Sequence, residues 1–110
     1  MAIYSKLSAD QGADFRARVQ LVDSLGGDIS IIGYTTEGSI KKTYTSLSSY
    51  EMLVNTVNED LGIISLSVSD TVTSSMTPGR YVYDIYVTSP SGIKTRVLEG
   101  QFEITPGVTI

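Results

Sequence analysis

The strongest pattern in the chain is an alternation of apolar and polar residues over its last third. Large apolar side chains occupy every second position at 81–87, and apolar residues and one glycine do so at 98–104. Alternation with a period of two places one face of a strand against a core. The Ser-Pro-Ser-Gly turn at 89–92 separates the two runs, so the pattern predicts one long β-hairpin over 76–106. A second layer must cover the apolar face of such a hairpin.

Shorter segments of the same kind fill the rest of the chain. Alternation predicts strands at 13–23, 34–41 and 64–69. Residues 50–58 also fit a helical turn or two, but the neighbouring strands favour a strand here. One helical turn is predicted at 70–75, with Asp70 as its N-cap. Turns or loops are predicted at 24–28, 43–49 and 59–62.

Residues 1–11 are less regular, and two structures stay open for them. They can form a short edge strand or an arm that docks on a neighbouring molecule. The remaining segments amount to about seven short strands with a turn signal roughly every 8–12 residues. This spacing predicts an all-β chain: a single antiparallel β-sandwich of the immunoglobulin-like type, which occupies residues 1–110 as one domain.

A second feature of the hairpin supports that topology. The spacing Pro78-Gly79-x-Tyr81-x-Tyr83 is typical of a tyrosine corner, in which a tyrosine at the start of a strand donates a hydrogen bond to the backbone upstream. Tyr83 takes the position at which an antibody domain has its second cysteine. Phe102 lies on the apolar face of the returning strand, so these five residues are predicted to define the fold.

Composition removes several classes of function. The chain has 8 Lys plus Arg against 12 Asp plus Glu, a net charge of −4, which disfavours nucleic-acid backbones and anionic membranes as partners. It has neither cysteine nor histidine, so the usual nucleophile systems and tetrahedral zinc sites are not available. No segment has the spacing of a calcium loop. We therefore expect no enzyme activity, no cofactor and no metal. The N-terminus does not resemble a secretory signal, and no apolar run approaches a membrane span.

The outer face of the first hairpin strand is the main candidate interface. Val82, Asp84 and Tyr86 alternate with the core residues, and this face is unusually apolar for a monomer. Such a face is typical of a contact with another subunit. The alternative is that loops of the same chain cover it. Ile3 and Tyr4 are the apolar groups with which the N-terminal segment would join the interface.

Five basic residues would form one patch if the hairpin lay beside the strand at 13–23: Arg16, Arg18, Arg80, Lys94 and Arg96. One interpretation is a site for an anionic ligand or partner. The favoured interpretation is a solvated face whose cations pair across strands with Asp84, Glu99 and Glu103.

Several segments together resemble one group of proteins. They read Tyr-Ser-Lys-Leu at 4–7, Ile-Ile-Gly-Tyr-Thr at 31–35, Pro-Gly-Arg-Tyr-Val-Tyr-Asp at 78–84, Gly-Ile-Lys-Thr-Arg-Val-Leu-Glu-Gly at 92–100 and Pro-Gly-Val-Thr at 106–109. This combination resembles small virion proteins of tailed bacteriophages, particularly the contractile-tailed phages of cyanobacteria. It is also similar to the N-terminal module of phage baseplate upper proteins.

The resemblance implies a non-enzymatic structural subunit that is made in the host cytoplasm and resides in the virion. Its expected partners are other virion proteins, either the major capsid protein or tail and baseplate subunits, and a homo-oligomer is also open. Capsid decoration and a tail or baseplate role both stay open.

Two other classes of function compete with this one. Tyr44, Tyr50 and Tyr86 could stack on sugar rings, which would make the chain a host-surface or carbohydrate-binding module. A carboxylate-based hydrolase is not favoured, because no pair of acids has an evident partner to shift its pKa.

Overall fold

The computed structural model describes residues 3–22, 27 and 30–108, and nearly all of its regular structure is β-strand. The predicted turn at 24–28 lies, apart from Gly27, outside these residues. The elements are β1 Ile3–Tyr4, β2 Leu7–Asp10, β3 Phe15–Gln20, β4 Thr35–Lys41, β5 Tyr50–Asn58, β6 Ile63–Val68, α1 Asp70–Ser75, β7 Gly79–Thr88 and β8 Lys94–Thr105. The strand predicted at 50–58 and the loop at 43–49 are both confirmed.

The predicted hairpin is the pair β7 and β8, which run antiparallel from the Gly79–Ile104 pair to the Thr88–Lys94 pair. The apolar residues at alternate positions of 81–87 and 98–104 are buried, with exposed fractions of at most 4%. One register shift follows Ile85, so the ladder contains a local irregularity there. The alternation in the sequence therefore identified both strands and their inner faces.

The strands form one continuous path in the order β1-β8-β7-β4-β5-β6-β3, and β2 also pairs with β8. Strand β5 joins the two halves of this path because its first three residues pair with β4 and the remainder with β6. The ring of Phe15 on β3 meets that of Phe102 on β8 at a centroid distance of 5.1 Å. The two ends of the path thus curl toward each other around a shared core.

The all-β class predicted from the sequence is confirmed. The hydrogen-bonded path does not separate into two independent layers, and the finer assignment to an immunoglobulin-like sandwich stays a prediction. Strands β1 and β2 depart from antiparallel pairing, since both run parallel to β8. Parallel pairing is possible here because most of the chain separates the N-terminal strands from β8, so no tight turn has to connect them.

The N-terminal strands approach β8 closely at one point, between Ser5 and Gly100. The backbone N–H of Ser5 donates to the carbonyl of Glu99 at 2.9 Å, and the buried Tyr83 hydroxyl donates to the carbonyl of Ser5 at 2.6 Å. A Cβ atom on residue 100 would overlap the carbonyl oxygen of Ser5. The glycine therefore gives the N-terminal segment the space to lie against β8.

The core fills the space inside the curled sheet. Phe102 is fully buried and makes edge-to-face contacts with Phe15 and Tyr83. The other apolar residues of the core include Leu21, Ile31, Ile40, Met52, Ile64, Leu66, Val68, Met76, Ile85 and Leu98. Such burial is the main stabilising contribution in a chain without cysteine.

The tyrosine corner is present as the spacing predicted. The hydroxyl of Tyr81 donates to the carbonyl of Thr77 at 2.8 Å, across the half-buried Pro78 and Gly79. Gly79 has a φ of 143°, a conformation that side chains rarely adopt. The corner thus connects the segment before β7 to the first buried residue of that strand.

Helix α1 is where predicted, but its N-cap is Ser69, and the prediction of Asp70 was wrong. Ser69 has extended backbone angles, and its side chain accepts a hydrogen bond from the N–H of Val72. Asp70 is already helical, and its N–H donates to the carboxylate of Asp14 at 2.8 Å. The buried Thr73 hydroxyl donates to the carbonyl of Ala13, so α1 is held against the turn between β2 and β3.

Candidate functional site

The three residues predicted as an interface, Val82, Asp84 and Tyr86, lie together on the outer face of β7. All three are half-buried. In the ladder Asp84 lies between Ser39 of β4 and Glu99 of β8. Because directly paired residues point to the same face, the three strands build one outer surface.

A groove with a volume of about 540 Å³ runs along this surface, and we call it the outer-face groove. Strands β4, β7 and β8 and the loop after β4 line it with Glu37, Gly38, Ser39, Lys41, Tyr44, Val82, Tyr83, Asp84, Tyr86 and Lys94. The side chains that line the groove include aromatic rings, carboxylates and amines.

The basic residues of the hairpin are all in ion pairs with nearby acids. Lys94 pairs with Glu37 at 2.5 Å, and Arg96 pairs with Glu99 at 3.4 Å and with Asp84 at 3.9 Å. One further pair joins Arg80 to Glu103 at 3.9 Å. The prediction that the cations pair with Asp84, Glu99 and Glu103 is confirmed for Arg80 and Arg96, whereas Lys94 pairs with Glu37 instead.

The two remaining members of the predicted basic patch lie elsewhere. Arg16 and Arg18 are exposed on β3, where they stand opposite Ser67 and Ser65 of β6. Strand β3 is at the far end of the path from the hairpin. The five basic residues therefore do not form one surface.

Asp84 is the charged group with the most unusual environment on the outer face. Burial raises the pKa of the Asp84 carboxyl above its ordinary value, although the charges of Arg96 and Lys41 lower it. The balance means that desolvation has the larger effect. A partner that offers a hydrogen-bond donor to this carboxyl would relieve part of that cost.

Two tyrosines give the groove flat apolar surfaces. Tyr86 lies under the ammonium group of Lys94, which is 4.9 Å from the ring centroid. Tyr44 is 57% exposed on the loop after β4. Tyr50, the third tyrosine proposed for stacking, instead packs edge-to-face on Tyr81 at 5.9 Å and does not line the groove.

Tyr4 extends the outer face beyond β8. Tyr4 is in register with Glu99, so it lies on the same face as Asp84, and 63% of it is exposed. Ile3 is instead in register with the buried Leu98, so the strand pairing does not group it with the outer-face residues, and its predicted role in the interface stays a prediction. The segment 3–10, for which an edge strand and a docking arm were both open, forms strands β1 and β2 in this structure.

Sequence reasoning did not connect Glu37 and Lys41 with the outer face, and it gave Tyr44 only as a candidate for stacking on sugar rings. Alternation did place Glu37 and Lys41 on the polar face of β4. The pairing of β4 with β7 is the missing information, because strand order is not encoded in the local pattern. Tyr44 comes from a loop without any periodic signal.

The described residues hold neither a metal-binding cluster nor a membrane-spanning helix. No group of three or more acidic side chains there is placed to hold a metal ion. No helix in the same part of the chain has the length and apolarity that a membrane crossing requires.

Comparison with known proteins gives no family. No family model matches the chain, and no curated protein does. Among solved structures, it is similar to part of an internalin-like protein of Listeria monocytogenes, with 18% identity and a TM-score of 0.44, over 96% of this chain and 28% of that one. It is also similar to part of a family 123 glycoside hydrolase from Clostridium perfringens, with 13% identity and a TM-score of 0.44, over 97% of this chain and 24% of that one. The chain thus spans about a quarter of each protein's length, and these scores support no conclusion about function.

Proposed function

We propose that this chain is a non-enzymatic structural component of a tailed-phage virion. It attaches to other virion proteins through its outer face, centred on Val82, Asp84 and Tyr86 and extended by Tyr4. The proposal starts from the segments that resemble small virion proteins. Such a component is made in the host cytoplasm and resides in the phage particle.

The observation that carries the attachment surface is the composition of the outer face. Tyr4, Tyr44 and Tyr86 present aromatic surface there, beside the half-buried Val82. Tyrosine is enriched in protein interfaces because its ring is apolar and its hydroxyl can donate or accept. The Asp84 carboxyl, whose pKa is raised by burial, would be stabilised by a hydrogen-bond donor on the partner. The surface therefore combines aromatic and apolar contact area with hydrogen-bonding groups, as protein interfaces do.

The test is incorporation of variants into phage particles. The double variant Val82→Glu with Tyr86→Ala is expected to fold, since both side chains are only half-buried and lie outside the core, but to occupy particles at least tenfold less than the unchanged chain. Ile93→Glu is the matched control, because Ile93 is 66% exposed at the hairpin tip and does not line the groove. Equal occupancy by all three chains, or absence of the unchanged chain from purified particles, would reject the proposal.

The location within the particle follows from the number of copies. Copy numbers close to that of the major capsid protein would indicate capsid decoration or cement, and much smaller numbers would indicate the tail or baseplate. Both use the same kind of surface contact. A homo-oligomer in the particle is compatible with either location.

A second candidate is a host-surface or carbohydrate-binding module, and one observation favours it. Tyr44 and Tyr86 line the same groove as Glu37 and Asp84, so aromatic rings and carboxylates are available to one sugar. Binding to a glycan array that is lost in Tyr86→Ala and kept in Tyr50→Ala would favour this module. Tyr50 is the matched control because its ring packs on Tyr81 away from the groove.

A further inference from the structure

Strand β3 offers an open backbone edge at one end of the strand path. It ends the strand path and pairs with β6, and within residues 3–22, 27 and 30–108 no strand pairs with its other edge. An open edge presents N–H and C=O groups in the pattern that a further strand would complete. Strand addition to such an edge is a known mode of peptide recognition.

The register identifies which backbone groups face outward. The N–H of Leu21 donates to the carbonyl of Gly62, which continues the β6 side of the ladder. Backbone groups alternate in direction along a strand, so Phe15, Ala17 and Val19 also point toward β6. The N–H and C=O groups of Arg16 and Arg18 therefore point to the open edge. Together they offer two donors and two acceptors to an incoming strand.

The side chains of Arg16 and Arg18 are the second observation. Both are exposed, and neither forms an ion pair with any described residue, whereas Arg80, Lys94 and Arg96 of the hairpin all do. They stand beside a groove of about 510 Å³ that Ser65, Ser67, Leu53 and Asn55 also line. Asp14 lines the same groove, and its carboxylate already accepts a bond from the N–H of Asp70.

The inner side of β3 supplies the third observation. Phe15, Ala17 and Val19 are only half-buried, although the matching positions of β6 and β7 are fully buried. A neighbouring strand could cover them with apolar side chains at alternate positions. Because the outward positions of that strand would lie opposite Arg16 and Arg18, acidic residues there would form cross-strand ion pairs.

We propose that the open edge of β3 is a strand-addition site for an extended segment of a partner protein in which acidic and apolar residues alternate. A second copy of this chain does not fit the same edge. Two antiparallel β3 strands would place arginine opposite arginine, which is unfavourable. In addition, no two acidic residues stand two positions apart anywhere in the 110-residue sequence. The partner is therefore a different chain, and this inference does not depend on the attachment surface proposed for the outer face.

The test uses the full chain and the synthetic peptide acetyl-Thr-Glu-Val-Glu-Val-Glu-Thr-amide. In amide NMR spectra the peptide is expected to shift the signals of Arg16 and Arg18 and to slow their hydrogen exchange. The variant with Arg16→Ser and Arg18→Ser is expected to bind about fivefold more weakly at low salt. Arg80→Ser is the matched control, since Arg80 lies on the hairpin, and it should bind like the unchanged chain.

Two modified peptides separate strand addition from simple charge attraction. In one peptide, N-methyl groups are placed on the alternate residues whose N–H groups face β3, so its hydrogen bonds to β3 are removed. In the other peptide, the N-methyl groups are on the remaining residues, whose N–H groups point away from β3. Loss of binding with one set and retention with the other is the expected result. Equal binding of both peptides, equal binding by the Arg16→Ser, Arg18→Ser variant, or no binding of the unmodified peptide would overturn the inference. Self-association of the chain through β3 would overturn it as well.

Discussion

The close approach of Ser5 to Gly100 makes a sharp prediction about the N-terminal strands. In the variant Gly100→Ala the new Cβ would lie 2.8 Å from the carbonyl carbon of Ser5 and 3.2 Å from its nitrogen. Carbon atoms in comfortable contact are about 3.5–4.0 Å apart, so the backbone at Ser5 must move by roughly 1 Å. The obstacle is main chain and not the end of a flexible side chain.

The cost can be estimated from the bonds that this shift disrupts. The hydrogen bonds between Ser5 and Glu99 and between Tyr83 and Ser5 are each worth about 0.5–1.5 kcal/mol, and a buried hydroxyl left unpaired costs about 1–3 kcal/mol. Alanine also restricts the unfolded chain, which stabilises by at most about 1 kcal/mol. The cost of the clash is larger than the gain from the restricted unfolded chain, so we expect a net loss of about 2–4 kcal/mol in the free energy of unfolding.

Urea unfolding and limited trypsin digestion together measure this effect. The urea midpoint should fall, and cleavage after the exposed Lys6 should become faster because β1 and β2 leave β8. Gly92→Ala is the control: its φ is 94°, but no atom lies within 4 Å of the added Cβ. It should lose about 1–2 kcal/mol from backbone strain, without faster cleavage at Lys6. Equal cleavage rates in the two variants would refute the role given to Gly100.

Three further predictions concern titrating and hydrogen-bonding side chains. Tyr81→Phe removes the corner hydrogen bond to Thr77 and should lower the free energy of unfolding, measured by urea unfolding, by about 1 kcal/mol. An unchanged urea midpoint would show that this hydrogen bond does not stabilise the fold. Burial raises the pKa of Tyr83 to about 12, so the unfolded state loses its proton first, and stability should fall between about pH 10 and 12. Tyrosine absorbance at alkaline pH measures the loss of the hydroxyl proton, and Tyr83→Phe should flatten that part of the curve of stability against pH. An unchanged curve would contradict a raised pKa of the Tyr83 hydroxyl. Burial also raises the pKa of Asp84, so its contribution to stability should be full below the unfolded pKa and decrease as pH rises through the folded pKa. Carboxyl NMR that finds the midpoint at or below the ordinary aspartate value would contradict this.

The hairpin was predictable from the sequence because its information is local. Four large apolar residues at alternate positions of 81–87, a Pro-Gly before them and a Ser-Pro-Ser-Gly after them leave little choice of structure. The tyrosine corner was predictable for the same reason, since Tyr81 and Thr77 are only four residues apart. The N-cap was missed by one residue because Ser69 and Asp70 are both good caps, and only the backbone angles select between them.

The candidate sites were less predictable because they depend on strand order. Val82, Asp84 and Tyr86 could be placed on one face from alternation alone. Their neighbours Glu37 and Lys41 come from β4, and nothing local shows that β4 lies beside β7. The separation of Arg16 and Arg18 from the hairpin has the same cause. The parallel pairing of β1 and β2 with β8 also joins the two ends of the chain, beyond the reach of any sequence window.

The most direct test of the proposed attachment surface is to compare side-chain oxidation rates of the free chain with those of the chain in purified phage particles. Hydroxyl-radical labelling followed by mass spectrometry reports each tyrosine separately. We predict that Tyr4 and Tyr86 become strongly protected in the particle, while the exposed Ile93 at the hairpin tip is labelled as in the free chain. Equal labelling of Tyr4 and Tyr86 in both states would show that the outer face meets no other virion protein.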